Sequence, residues 1–175
     1  MKKIFILLLC LAGLNVSAQE ENRLDFKKNE FKGNALFLVL GTLELTYERL
    51  INEESGVGIS VYVPFTNESD INFSVTPYYR FYFGKKPAAG FFVEGFGMLN
   101  QVEDYIYDYN SNFEDKEKTI TDFAFGLGLG GKWITKRGVL FEINAGIGRN
   151  LFNEHNDNRD YEFIGRGGIT VGYRF

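Results

Sequence analysis

Apolar and polar residues alternate with a period of two along most of this chain. At its end Tyr161, Phe163, Ile169, Val171, Tyr173 and Phe175 fall on one parity, and Glu162, Arg166, Thr170 and Arg174 on the other. That pattern describes a strand with one apolar and one polar face. It recurs upstream: Phe141, Ile143, Ala145 and Ile147 oppose Glu142 and Asn144, while Phe123, Phe125, Leu127, Leu129 and Trp133 oppose Asp122, Gly126, Gly128, Gly130 and Lys132. Ile71, Phe73, Val75, Tyr79, Phe81 and Phe83 oppose Asn72, Ser74, Thr76, Arg80 and Tyr82. Val57, Ile59, Val61, Val63 and Phe65 oppose Gly58, Ser60 and Tyr62, and Leu43, Leu45 and Tyr47 oppose Glu44, Thr46 and Glu48. A looser strand over 91–101 sets Phe91, Val93 and Leu99 against Phe92, Glu94, Phe96 and Met98. No helical period is sustained anywhere in these segments, and seven strands follow.

Short connections at 52–55, 84–87 and 135–138 alternate with longer polar ones at 102–118 and 152–160. Short turns on one side and long loops on the other are the habit of membrane barrels, in which an even strand number returns both termini to the short-turn side. Counted back from the end, the strand at 43–50 needs an outward strand before it. Asn34 to Leu40 supplies one if Gly41-Thr42 is a tight turn; the alternative is a single long kinked strand over 34–50. Pro77 interrupts its strand, since it lacks the N–H that a closed barrel needs from every strand, and a bulge or a break in regular pairing is expected there.

Alternation alone does not separate a membrane barrel from a soluble, lipocalin-like barrel whose apolar face lines a ligand cavity. The polar face separates them. It holds Ala124 and Gly126, Gly128, Gly130, Gly146, Gly148, Gly168 and Gly172, which suit a narrow filled interior better than a water-exposed surface. The apolar face carries Arg49 and Arg149 only near strand ends, where a charge in a membrane costs least, and places Tyr47, Tyr79, Trp133, Tyr161 and Tyr173 toward the ends as well. The expectation is an all-β, eight-stranded antiparallel up-and-down transmembrane β-barrel.

The N-terminus refines where such a barrel would sit. Lys2 and Lys3 precede an apolar stretch from Ile4 to Leu14 and a small residue, Ala18, before Gln19. This is the pattern of a secretory signal peptide over 1–18, too short for a membrane helix. Residues 19–32 read as a polar periplasmic lead-in and 33–175 as the barrel. The full chain of 175 residues has a formal charge of −4, one cysteine and one histidine. Nucleic acid binding, disulfide scaffolds and multi-histidine metal sites are thereby excluded, and no cofactor or metal is expected.

The final strand, Ile169-Thr170-Val171-Gly172-Tyr173-Arg174-Phe175, resembles the C-terminal signal read by the barrel-assembly machinery of Gram-negative outer membranes, with Val171, Tyr173 and Phe175 as its apolar positions. Together with Leu45-Thr46-Tyr47-Glu48-Arg49 and Pro77-Tyr78-Tyr79-Arg80-Phe81-Tyr82-Phe83, it makes the exported chain similar to the small outer-membrane barrels of Bacteroidota, and more distantly to OmpX and the OmpA barrel. The resemblance implies an integral outer-membrane protein and brings no catalytic residues. It also implies lipid, lipopolysaccharide and the assembly machinery as partners.

The candidate chemistry is on the polar face. Glu44, Glu48, Glu94, Asp122, Glu142 and Glu162 share it with Arg80, Lys132, Arg166 and Arg174, an excess of acids. Charges in a narrow lumen must pair; the network is either a salt-bridged plug or an ion path. The acidic loop 102–118, with Tyr105, Tyr107, Tyr109 and Phe113 interleaved, and the loop 152–160 are candidate surfaces for an external protein partner. A lipid-modifying enzyme would need a base, and His155 stands without a nucleophile motif around it. The reading is therefore non-catalytic: envelope integrity, adhesion or loop-mediated interaction, with a narrow pore as the alternative.

Overall fold

The computed structural model describes residues 26–66, 71–106, 116–152 and 162–175. The expected signal peptide and Tyr161 lie outside these residues, as do the centres of both long loops and His155. Eight strands form a closed barrel in which each pairs antiparallel with its sequence neighbour. They are β1 (Asn29–Asn34), β2 (Thr42–Leu50), β3 (Ser55–Pro64), β4 (Ile71–Phe83), β5 (Gly90–Ile106), β6 (Lys116–Ile134), β7 (Val139–Asn150) and β8 (Phe163–Arg174), with a five-residue helix α1 (Ala35–Val39) between β1 and β2. The barrel closes where β1 meets β8, Glu30 opposite Arg174 and Gly33 opposite Val171. The all-β, eight-stranded up-and-down fold is the one the alternation predicts.

The first strand is not where the apolar residues place it. Residues 34–50 are neither a tight hairpin nor one kinked strand: β1 ends at Asn34, Ala35–Val39 coil into α1, and β2 starts at Thr42. Residues 29–32 thus belong to the barrel wall and not to the polar lead-in. The reason is local. The Asn34 side chain accepts from the Phe37 amide (3.3 Å) and caps the helix, and Gly41, at φ 80°, makes the left-handed turn into β2. With six residues β1 is the shortest strand, and α1 packs on β2 and β8 above it. Its exposed Leu36, Leu38 and Val39 continue the apolar outer wall where the strand stops.

Two further expectations meet local structure. Pro77 stays in register with Ile59 of β3, while its pairing with β5 lapses between Val75↔Leu99 and Tyr78↔Phe96 and resumes without a shift. The register irregularity falls earlier, between Ile71 and Phe73, and turns Ile71 inward against the interior cluster instead of outward with Phe73. The polar loop at 102–118 is also shorter than its composition implies, because β5 and β6 stay paired out to Ile106↔Lys116.

The distribution of side chains is inverted relative to a water-soluble protein. Leu45, Val57, Ile59, Phe81, Val93, Leu127, Leu129, Trp133, Phe141, Ile143 and Ile147 are all exposed, whereas Glu30, Lys32, Glu48, Arg80, Glu94, Lys132, Glu142 and Arg174 are buried. Outward-facing Arg49 and Arg149 sit at strand ends, the first bonded to Asn29 Oδ1 (2.8 Å) and the second to Glu162 (2.9 Å). Inside, the wall made by β6 and β7 is lined with glycine so that the large inward residues of β5 fit over it. A Cβ on Gly126 would run into the Phe96 ring, one on Gly130 would lie 2.6 Å from the Phe92 ring, and one on Gly128 would lie 2.9 Å from Glu94 Cγ. Large residues facing small ones fill the lumen.

Candidate functional site: an ionic plug in the lumen

The inward positions near the terminal end of the barrel bring three carboxylates together. Oxygens of Glu30, Glu48 and Glu142, contributed by β1, β2 and β7, lie within 4.8 Å of one another, a spacing that suits a metal ion. Two lysine ammonium groups occupy that role. Lys32 Nζ lies 3.4, 2.5 and 2.9 Å from Glu30, Glu48 and Glu142, and Lys132 Nζ lies 2.6, 3.2 and 3.1 Å from the same three. A cation in addition would meet two positive charges at contact, so this carboxylate set fits no metal.

Arginines extend the network in both directions. Arg80 reaches Glu94 through Nε (2.7 Å) and Glu48 and Glu142 through Nη1 (3.2 and 2.9 Å), with its plane over the rings of Phe92 and Tyr78. Arg174 holds Glu30 at 2.7 Å and donates to the carbonyls of Pro87 and Ala88 (2.9 and 2.8 Å), which ties the last strand to the β4–β5 turn. Arg166 meets Glu94 at 3.2 Å and donates to Ser60 Oγ (2.9 Å). Tyr78 donates to Glu48 at 2.7 Å, and the Tyr82 hydroxyl is hydrogen-bonded to Glu48 and Lys132.

Apolar layers bound this ionic layer on either side. Leu50, Tyr82, Ala88 and Phe92, with Phe26 packed against them, lie toward the termini. Tyr78, Phe96, Met98, Ala124 and Ile164 lie toward the opposite end. Chemically the arrangement is a cross-linked set of ion pairs between hydrophobic layers, in which Glu94 Oε1 and the Nε and Nη1 of Arg166 are the buried atoms left without a hydrogen bond.

Of the residues expected on the inner face, Glu48, Arg80, Glu94, Lys132, Glu142, Arg166 and Arg174 come together in this network. Three do not. Glu44 is half-buried and accepts from Asn34 Nδ2 (2.7 Å); Glu162 is at the rim, paired with the exposed Arg149; Asp122 lies inside the barrel beyond the Phe96 layer. Glu30 and Lys32 fall within the lead-in expected from the sequence, although Glu30-Phe31-Lys32-Gly33 already alternates. With them counted, the inner face carries seven carboxylates and five cations among the described residues, while the plug itself, without Glu44, Asp122 and Glu162, has four carboxylates and five cations. Val171 and Tyr173 face outward on β8, and Phe175 follows the strand, its N–H donating to Asn29 O at 2.8 Å.

Charges inside and apolar side chains outside a closed eight-stranded barrel are the build of the outer-membrane barrel class. Within it, the chain belongs to the family described as proteins of unknown function, DUF3575, whose model matches residues 4–169. No curated protein matches the chain. Among solved structures, the crystal structure of the N-terminal β-barrel domain of Pseudomonas aeruginosa OprF superposes with a TM-score of 0.58 at 12% identity, covering 85% of this chain and 96% of that one. A solution structure of a proline-to-alanine mutant of Outer Membrane Protein G from Pseudomonas aeruginosa is more distant, at a TM-score of 0.35 and 13% identity over 93% of this chain and 86% of that one. The likeness to the OprF barrel domain is one of fold.

Proposed function

We propose that this chain is an integral outer-membrane barrel, closed to solutes, that acts without catalysis, as a structural element of the envelope and a platform for its external loops. The observation that carries the reading is the plug: nine charged side chains from seven strands, eight of them buried, fill the lumen while apolar side chains cover the outer wall. In water that outer wall would be a large exposed apolar patch; in a bilayer it is solvated by lipid. A shallow groove of about 790 Å³ on the wall, lined by residues including Val57, Tyr79, Gly97, Phe125 and Leu127, suits acyl chains. Lipid and lipopolysaccharide around the wall, and the assembly machinery acting on Val171, Tyr173 and Phe175, are the partners this reading requires. The surfaces around 102–118 and 152–160 are where an external protein partner would dock.

A narrow pore is the competing reading, and the plug argues against it, because moving an ion through would mean separating buried ion pairs at several kcal/mol each. The test combines two measurements. Cells expressing the full chain are fractionated and the membrane pool is run unboiled and boiled; recovery in the outer membrane with a heat-shifted band is expected. The purified barrel in planar bilayers is then expected to show no stepwise conductance. Recovery in the soluble periplasm would overturn the membrane reading, and steady channel steps would overturn the closed lumen alone.

A further inference from the structure

Beyond the Phe96 layer, at the end of the barrel opposite the termini, a second polar set lies apart from the plug. Asn100 of β5 and Asp122 of β6 are cross-strand partners, and Asn150 of β7 pairs with Ala124, two residues along β6. All three are buried. Asn100 Nδ2 donates to Asn150 Oδ1 (2.9 Å), which fixes the amide so that Asn100 Oδ1 is its free end. Asp122 Oδ1 accepts the amides of Phe123 (2.6 Å) and Phe152 (3.0 Å).

Two atoms are left over. Asn100 Oδ1 and Asp122 Oδ2 are fully buried and receive no hydrogen bond, on side chains only 1% and 4% exposed. Both are acceptors, and one belongs to a carboxylate that forms no ion pair among the described residues. The cations of the plug are ion-paired with its own carboxylates, Arg166 with its Nε and Nη1 not hydrogen-bonded but held against the Phe96 ring, and Phe96, Met98, Ala124 and Ile164 stand between. Buried charge is ordinarily paired or metal-bound, and a ligand satisfying only oxygen acceptors, one of them negative, is a hard cation.

We propose that Asp122 Oδ2 and Asn100 Oδ1 bind a calcium ion at this mouth of the barrel, with water completing the coordination and Asn150 positioning the Asn100 amide. A single carboxylate sets a weak affinity, in the range of about 0.1–1 mM found for extracellular calcium modules. The site is independent of what the external loops contact and of whether the lumen conducts.

The experiment uses the full barrel, folded in detergent micelles free of lipopolysaccharide and stripped with EDTA. It is titrated with CaCl2 in a calorimeter and melted with and without calcium. Wild type is expected to bind saturably in that range and to unfold at a higher temperature with calcium; Asp122→Asn is expected to lose both responses. Asn100→Asp adds a second carboxylate and is expected to bind about tenfold more tightly, which keeps the test decisive if Asp122→Asn does not fold. The proposal is overturned by no saturable binding in wild type at about 10 mM calcium, by an unchanged response in Asp122→Asn, as binding to exposed acidic loops would give, or by an Asn100→Asp barrel that binds no more tightly than wild type.

Discussion

Glu48 is the residue on which the plug depends most. It is 0% exposed and touches Lys32 (2.5 Å), Arg80 (3.2 Å), Lys132 (3.2 Å) and the Tyr78 hydroxyl (2.7 Å), as well as Tyr82. Glu48→Gln keeps the shape, removes the charge and turns amide hydrogens toward ammonium groups. Five plug cations then face three carboxylates. Removing one member of a buried ion pair costs about 3–5 kcal/mol because the other is left uncompensated. The cost does not triple with three cations, since Lys32, Arg80 and Lys132 each keep Glu142 at 2.9–3.1 Å. A loss of about 3–5 kcal/mol is therefore expected in urea unfolding of the barrel in lipid vesicles, followed by Trp133 fluorescence and by the heat-shifted gel band. Glu162→Gln is the control: its partner Arg149 is 67% exposed at the rim, and an exposed pair contributes less than about 1 kcal/mol. Adding Lys132→Met to Glu48→Gln removes a cation left short of charge, and a favourable coupling of about 0.5–3 kcal/mol between the two changes is expected. If Glu48→Gln unfolds within about 1 kcal/mol of wild type, like the rim control, the lumen is wet enough to screen its charges and is not sealed by the plug.

Two other changes probe the wall. Gly126→Ala drives a Cβ into the Phe96 ring and to 2.6 Å from the Ile147 carbonyl, whereas Gly165→Ala meets nothing within 4 Å; the first is expected to lose about 1–3 kcal/mol of unfolding free energy and the second to be near neutral in the same assay. Leu129→Arg puts a charge at an outward position that is 56% exposed in mid-strand, and folding into vesicles is expected to weaken by about 2–4 kcal/mol. No penalty at that site would mean that the outer wall faces water.

Much of this architecture is visible in period-two alternation, because a strand with one face in lipid and one in a packed lumen has few exceptions to hide it. Lys132 and Glu142 land opposite each other because β6 and β7 are joined by a tight turn, with Gly138 at φ 94°. The first strand is hidden in the sequence for a physical reason. Asn29–Asn34 has only Phe31 as a large apolar residue, while the adjoining Ala35–Leu40 run is the more hydrophobic and draws the strand assignment to itself. That run is apolar because α1 extends the outer wall, a role for which periodicity is no guide. Without β1, Glu30 and Lys32 are missing from the inner face; as one acid and one base they leave the net charge unchanged, but the partners they hold, Arg174 and Glu48 among them, are not recognised. Asp122 and Glu162 show the other limit: parity identifies the face but not the height along the barrel, and height is what separates plug, mouth and rim.

Why a filled lumen should use charge at all is answered by register. A one-residue slip between strands turns every inward residue outward and would move Arg80 or Glu94 into lipid, at about 2–4 kcal/mol for a basic residue at the midplane. A two-residue slip keeps the faces, and size alone does little to forbid it. Phe92, Glu94 and Phe96 lie over Gly130, Gly128 and Gly126, and alternate glycines look alike to a strand displaced by two. The ion pairs are not alike. Arg80 on β4 reaches Glu94 on β5 and Glu142 on β7, and Lys132 on β6 reaches Glu30 on β1 and Glu48 on β2. Two residues of strand amount to about 7 Å, more than any of these contacts tolerates. The glycine-lined wall lets the aromatic residues in, and the charges that cross the lumen fix where each strand stops.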